Sequence, residues 1–266
     1  MSAIESATIT SPELIKKIPL VECFGPTVQG EGPATGMITY FLRFGLCDFR
    51  CTQCDSMHAV DPKIVQANAR WLTQDEIFQE LRSAKAKHPA SVKRVVLSGG
   101  NPAIHDLKRL VTLLHDSYWD VHVETQGSVW RPWLAMADQL VVSPKGPGMG
   151  VVHDIADLDK FFDALYHSPP VKFALKIPIF DQRDIEFAVQ LSTRYPRFNN
   201  RAELYLSLGN PYPPGYKYEH FPENLALNLL DHYKLLLEDV MLEPELRHAR
   251  FTPQMHVLLW GNKQGV

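Results

Sequence analysis

The stretch Gly45-Leu46-Cys47-Asp48-Phe49-Arg50-Cys51-Thr52-Gln53-Cys54-Asp55-Ser56 decides how the rest of the chain is read. It gathers three of the four cysteines into a C-x3-C-x2-C loop, directly after an apolar and β-branched run, 38–44, that reads as a strand. A loop of this length can turn three thiolates toward one metal centre. On a cage of four irons and four sulfurs, three thiolates leave one iron without a protein ligand, and that open iron can bind a small molecule. Two other readings stand beside this one. A zinc ion could recruit His58 or Cys23 as a fourth ligand, or the three cysteines could be buried without any ligand. The zinc reading lacks the second paired Cys or His motif of small zinc modules, and a chain this long needs no metal staple. Cys23, standing apart, reads as a small core or loop residue.

Outward from this loop, strand and helix signals alternate. Residues 73–88 read as a helix opened by a capping box of Thr73 and Glu76. A short buried strand follows at 94–98, then helical apolar spacing over 104–116. The series continues with a strand at 121–124, a short helix at 130–137 opened by Pro132, and a strand at 139–143. Helices at 156–166, 181–195 and within 223–241 then alternate with strands at 171–177 and 203–208. The segments 58–70 and 143–154 read as long loops, and the apolar run 251–260 shows no clear period. Repeating βα about six times implies an α/β fold with a mainly parallel sheet, outer helices, and chemistry on the loops after the strand C-termini. The whole of 1–266 is expected to be a single domain, with an N-terminal arm at 1–16 and a C-terminal extension at about 242–266.

Composition narrows the function classes. Of the 266 residues 45% are hydrophobic and 21% charged, which excludes a mainly disordered, coiled-coil or collagen-like chain. A formal charge of −3 argues against a broad basic surface for nucleic acid. No apolar run approaches the roughly 20 residues that span a bilayer. The first twelve residues lack the apolar core of a secretory signal, so a cytoplasmic setting without membrane partners is expected.

Further motifs fall at the predicted strand ends. In Ser98-Gly99-Gly100-Asn101-Pro102 the two glycines let backbone approach a ligand closely. The same five residues alone would be an ordinary turn. Glu124-Thr125-Gln126-Gly127 and Ser143-Pro144-Lys145 close the next two strands with polar groups on the same rim. Glu124 could equally be a structural carboxylate satisfied by backbone donors, and Lys145 a solvated loop charge. Upstream, Val28-Gln29-Gly30-Glu31 sets an amide beside a carboxylate, a pair suited to reading a heterocycle's donors and acceptors. Arg43 on the first strand offers a bidentate fork for a substrate carboxylate, or alternatively one half of a rim ion pair.

The cysteine spacing after a first strand in a βα chain resembles the radical S-adenosylmethionine (SAM) superfamily, whose fold is a partial (β/α)6 barrel. The resemblance implies a 4Fe-4S cluster on Cys47, Cys51 and Cys54, with SAM chelating the open iron and yielding a 5′-deoxyadenosyl radical on reduction. Gln53 stands where an aromatic residue is common, and Asn101 where the superfamily's GGEP motif has Glu. The ordered set Q-G-E-G, R-x3-C-x3-C-x2-C-D-S, S-G-G-N-P, E-T-Q-G and S-P-K is similar to the 7-carboxy-7-deazaguanine synthases, over about Val21 to Lys145. That family implies a lyase of 7-deazapurine (queuosine-type) biosynthesis that contracts the ring of 6-carboxy-5,6,7,8-tetrahydropterin with loss of ammonia. Carried over, Val28, Gln29, Gly30, Glu31, Arg43 and Ser98 contact substrate. Gly99, Gly100, Asn101, Glu124, Ser143, Pro144 and Lys145 hold the cofactor, and Ser56 takes the place of a threonine ligand to Mg2+. Pro253-Gln254-Met255-His256 resembles a C-terminal P-Q-x-H segment, adding Gln254 and His256 to the substrate set. A flavodoxin- or ferredoxin-like electron donor and a homodimer follow from the resemblance alone. The competing functions are a radical SAM activase of a protein partner and a zinc-stabilised binding protein.

Overall fold

Alternation with a period of two gives each central strand two faces, and here the two faces do different work. In the computed structural model, which describes residues 16–88, 92–151, 153–195, 202–214, 217 and 221–266, nine strands form one sheet. They are β1 (Ile18–Val28), β2 (Ile38–Phe44), β3 (Arg70–Leu72), β4 (Arg94–Gly99), β5 (Asp120–Thr125), β6 (Gln139–Val142), β7 (Phe173–Ile179), β8 (Ala202–Leu208) and β9 (Arg250–Thr252). Their spatial order is β3-β1-β2-β4-β5-β6-β7-β8-β9. From β2 to β9 each neighbouring pair is parallel, while β1 runs antiparallel to both β2 and β3. The end strands β3 and β9 do not pair with each other, so the barrel is partial.

Helices α3 (Gln74–Ala86), α4 (Lys108–Asp116), α5 (Ile155–Tyr166), α6 (Gln182–Arg194) and α7 (Leu225–Val240) connect successive parallel strands. One strand face packs into a core with them. Tyr40, Leu42 and Phe44 of β2, Val95 and Leu97 of β4, and Leu175, Ile177 and Ile179 of β7 join Ile77, Leu81, Leu110, Phe161 and Leu191 of the helices. The alternate residues Phe41, Val96, Val141, Ala174 and Tyr205 are buried outside that cluster, on the opposite face. No helix among the described residues is long and apolar enough to cross a membrane.

Several sequence expectations need correction. Segment 58–70, read as a loop, folds into α1 (Met57–Val60), α2 (Pro62–Asn68) and the start of β3. Helices of four and seven residues are too short to display a 3.6-residue period, and α2 is set by a cap: Asp61 Oδ1 accepts from the Lys63 and Ile64 amides. The strand β1 was not foreseen. Pro19, Gly25 and Pro26 interrupt its pattern, and its register with β2 shifts twice. The unassigned run 251–260 divides between β9 and α8 (Met255–Trp260), and the expected helix at 130–137 is a 3-10 turn, Pro132–Met136. The helix expected from residue 104 begins at Lys108, after a 3-10 turn at Pro102–Ile104. Of the expected N-terminal arm all but residue 16 lies outside the described residues.

Two polar devices fix elements beside the future site. The expected capping box is present: the Thr73 hydroxyl accepts from the Glu76 amide at 3.2 Å and Glu76 returns the bond to the Thr73 amide at 2.7 Å. Asp184, wholly buried in the first turn of α6, accepts from the amides of Gly148, Phe180 and Asp181 at 2.8, 2.9 and 3.4 Å. It thereby ties the 143–154 loop to α6. We expect Thr73→Ala to cost about 1 kcal/mol. Asp184→Ala strands buried amides and is expected to cost about 3 kcal/mol. Denaturant unfolding of the two variants tests the ranking, and equal losses would contradict it.

Candidate active site

Parallel pairing brings the strand C-termini to one level, and each central strand delivers an inward polar side chain there. These are Arg43 from β2, Ser98 from β4, Glu124 from β5, Ser143 just after β6, Lys176 from β7 and Ser207 from β8, and all line one pocket. β1 contributes Phe24 and Val28, and the residues after α8 contribute 261–266. Of the residues singled out from the sequence, only Asn101 and Pro144 are not on its wall.

The cysteine loop forms one side. Its three thiols line the pocket and none is in a disulfide. Cys23 lies on β1, packed against the core away from them. The loop has almost no regular structure, so hydrogen bonds hold it. Asp48 accepts from Gln126 Nε2 at 2.6 Å, Asn101 Nδ2 at 2.9 Å and Ser128 Oγ at 2.5 Å. The Arg50 guanidinium donates to the carbonyls of Cys47 and Phe49 at 2.6 and 2.7 Å. The Thr52 amide donates to the Met149 carbonyl at 2.9 Å, joining the loop to the 143–154 segment. The two glycines expected to approach a ligand serve a further purpose. A Cβ on Gly99 would lie 2.1 Å from the Phe44 carbonyl oxygen, and one on Gly100 2.0 Å from that of Leu46. Both line the pocket because they first let β4 close against the root of the loop.

Burial raises the pKa of all three thiols. For Cys54 burial and then Asp55 push it up to about 12, while Lys145 acts on all three in the opposite direction. Ionising these thiols therefore needs a cationic partner inside the pocket. Among the described residues no three His, Cys, Asp or Glu side chains converge on one point as a single metal ion requires. In a four-iron cage each thiolate takes a different iron, so three free thiols on the wall of one pocket suit that group. The donor set fits a 4Fe-4S cluster with one open iron. Facing it, Lys145 donates to Ser143 Oγ at 3.0 Å beside the glycine turn, a set of groups suited to SAM. His153 packs its ring edge-on to Phe49 of the loop, with centroids 4.9 Å apart. Burial and then Lys145 hold its pKa down to about 4, so it stays neutral behind the loop.

The opposite wall is a carboxylate cluster. Lys176 Nζ lies 2.5 Å from Glu31 Oε2 and 3.4 Å from Glu124 Oε2. Gln29 Nε2 donates to Glu124 Oε1 at 2.8 Å, and Gln254 Nε2 to Glu31 Oε1 at 2.5 Å. Glu124, grouped with the cofactor residues on sequence grounds, thus sits with the Gln29–Glu31 segment. The fit of α8 is close: the Met255 amide donates to the Gly30 carbonyl at 3.0 Å, and a Cβ on Gly30 would lie 2.1 Å from His256 Nδ1. Gln254 Oε1 is buried without a hydrogen-bond partner.

Between the two walls, Arg43 donates from Nε to Glu22 at 2.5 Å and from Nη1 to Ser56 Oγ at 2.8 Å. His58 also meets Glu22, at 3.2 Å, and Gln264 meets His58 at 3.3 Å. Arg43 itself lines the pocket. Asn101, like Pro144, stands off the pocket wall. Its amide donates to Asp48 and Ser128 and accepts from Ala103 N and Thr125 Oγ1. With both donors and both lone pairs engaged, it braces the cysteine loop from below. Sequence reasoning missed Lys176 and Ser207, and placed Gln126 on the rim without seeing its bond to Asp48. For Lys176 a signal existed: a lysine at an inward position of the buried run Phe173–Ile179.

Comparison with known proteins agrees with this geometry. A model of the radical SAM superfamily matches residues 42–146, which take in the end of β2, the cysteine loop and the strands up to Lys145. A 7-carboxy-7-deazaguanine synthase of Bacillus subtilis is 36% identical over 255 residues, 95% of this chain and 100% of that one. A second, from Bacillus cereus, is 34% identical over 253 residues with the same coverage. In structure, the chain superposes on QueE from Escherichia coli with a TM-score of 0.60, at 22% identity, covering 90% of this chain and 95% of the other. The chain therefore belongs to the 7-carboxy-7-deazaguanine synthases, radical SAM enzymes of the lyase class.

Proposed function

We propose that this chain converts 6-carboxy-5,6,7,8-tetrahydropterin into 7-carboxy-7-deazaguanine with loss of ammonia, within 7-deazapurine biosynthesis. The observation that carries the reading is one pocket with two unlike walls, a three-thiol loop facing an acceptor-rich cluster of Gln29, Glu31, Glu124 and Gln254. Membership of the family sets aside the protein-activase and zinc-scaffold readings of the same cysteines.

Cys47, Cys51 and Cys54 hold the cluster, and Gly99, Gly100, Ser143 and Lys145 hold SAM beside it. Together the bound groups supply a hydrogen-abstracting adenosyl radical. The protein's own residues orient the pterin. Carboxylates accept only, so Glu31 and Glu124 suit the N–H-rich pyrimidine edge. Gln254 Oε1 adds an acceptor with no other partner. At the far end Arg43, clamped by Glu22 and Ser56 on the pocket wall, has guanidinium donors left for the substrate carboxylate. Ser98 and Val28 complete the substrate wall, and His256, seated on Gly30, closes it.

Mg2+ is assigned to Ser56. Its hydroxyl accepts once, from Arg43, and keeps a lone pair for a hard cation whose other ligands are substrate oxygens and water. An electron donor of the flavodoxin or ferredoxin type supplies the reducing equivalent. A cytoplasmic setting accords with free, unpaired thiols. A homodimer accords with the exposed leucines Leu227, Leu230 and Leu235 of α7.

Anaerobic protein supplied with SAM, Mg2+, reductant and the carboxypterin is expected to form the deazaguanine, and SAM cleavage without that product would overturn the reading. We expect about four irons per chain and brown colour in the wild type. Cys51→Ala should lose both the colour and turnover, and normal turnover in that variant would remove its ligand role. Ser56→Ala should raise the Mg2+ concentration for half-maximal turnover about tenfold. An unchanged Mg2+ titration would count against the assignment.

A further inference from the structure

Lys176 is the charged residue of the acceptor wall to which neither the sequence motifs nor the family resemblance gives a role. Its residue is 5% exposed, on the inward face of β7, and it reaches Glu31 of the β1 loop and Glu124 of β5 at once. Hydrogen bonding leaves that wall short of donors. Glu31 accepts from Lys176, Gln254 and Ser207, and Glu124 from Gln29 and Lys176. A carboxylate has about four acceptor positions, so one remains on Glu31 and two on Glu124, beside the unpartnered Gln254 Oε1. Spare acceptors on three neighbouring side chains call for a ligand edge that carries several adjacent N–H groups.

Two buried carboxylates this close do not stay ionised together without a cation, and the first to take up a proton becomes a donor. From the geometry we infer that Lys176 is a positioning residue: it holds Glu31 and Glu124 together as a doubly ionised acceptor pair for the 2-amino-4-oxopyrimidine edge of the substrate. The inference rests on the function proposed above and deepens it. The surrounding charges agree. Asp55 of the cysteine loop also faces Lys176, and His256 of α8 faces Glu31. The strands on either side bring apolar or neutral groups, Val141 from β6 and Tyr205 and Ser207 from β8. Burial pushes Lys176 down, yet Glu124 and Glu31 outweigh it and raise its pKa above the usual lysine value. Burial likewise pushes Glu31 up, and Lys176 and His256 outweigh it, holding the carboxyl at about 2. Glu31 therefore stays an acceptor across the whole range in which the enzyme is handled.

The test compares cluster-loaded wild type with Lys176→Met, Lys176→Arg and the double variant Lys176→Met/Glu124→Gln. Calorimetry reads the affinity for 7-carboxy-7-deazaguanine, which carries the same pyrimidine edge, and separately for SAM. Lys176→Met is expected to weaken deazaguanine binding about 30-fold while SAM affinity stays within about twofold. The deficit should be larger at about pH 6 than at about pH 8.5, because the unsupported pair then retains a proton. Lys176→Arg should recover most of the affinity. The double variant removes the charge conflict, so its melting temperature should return toward wild type while its ligand affinity stays low. Wild-type ligand affinity in Lys176→Met or in the double variant would overturn the inference, as would an equal loss of SAM and deazaguanine binding. Failure of the wild type itself to bind the deazaguanine would instead sink the proposed function and leave the geometry of the cluster untouched.

Discussion

Parallel strands in register end at the same height, and a barrel that stays open between β3 and β9 leaves room inside that rim. With side chains alternating, the outward set is bound to the helices by apolar packing and the inward set is free to be polar. Arg43 pairs in register with Ser98, and the neighbouring strands carry Glu124, Ser143, Lys176 and Ser207 to nearly the same level. A one-residue slip in any of these strands would bury its polar group among Ile77, Leu110 or Phe161 and send a core residue into the pocket. Register is therefore the constraint on which the chemistry depends, and the hydrophobic core sets it.

The cysteine loop cannot draw on that constraint, because it leaves the sheet at Phe44. Its rigidity comes from a second, polar layer just below the rim. Asp48 is the centre of that layer, drawing three donors from the ends of two strands: Asn101 after β4, and Gln126 and Ser128 after β5. At the fourth position of its S-G-G-N-P turn this chain has an asparagine whose amide faces the loop. The residue type matters. Asn can donate to Asp48 and accept from Thr125 at once, whereas a glutamate would oppose the Asp48 carboxylate.

Much of this was legible in the residues. The long amphipathic helices, the capping box at Thr73 and the buried strands with glycine or polar ends all carry local signals that tertiary structure did not override. The site was legible because its residues cluster in short motifs at strand ends. What escaped had physical reasons. β1 carries two prolines and a glycine and is held by its neighbours on both sides, so its own sequence hardly shows it. α1 and α2 are too short to have a period. Lys176 stands alone in an apolar strand, and its meaning lies wholly in partners 145 and 52 residues away. Asn101 was visible as a motif position, but the direction of its amide depends on Asp48, Thr125 and Ser128, which no linear pattern relates to it.

The two walls of the pocket impose opposite electrostatic demands, and the fold separates them. The thiol side must tolerate negative sulfur, so it is given Lys145 and a neutral His153, with Asp48 turned away into its own donors. The acceptor side must tolerate two carboxylates, so it is given Lys176 from below. Arg43 stands between, and its charge is balanced by Glu22, a residue off the pocket wall. Each cation is thus placed behind the group it supports and leaves the central space to ligands. A lysine moved from the floor into that space would neutralise the acceptors it now holds ready, and the wall would lose its preference for N–H donors.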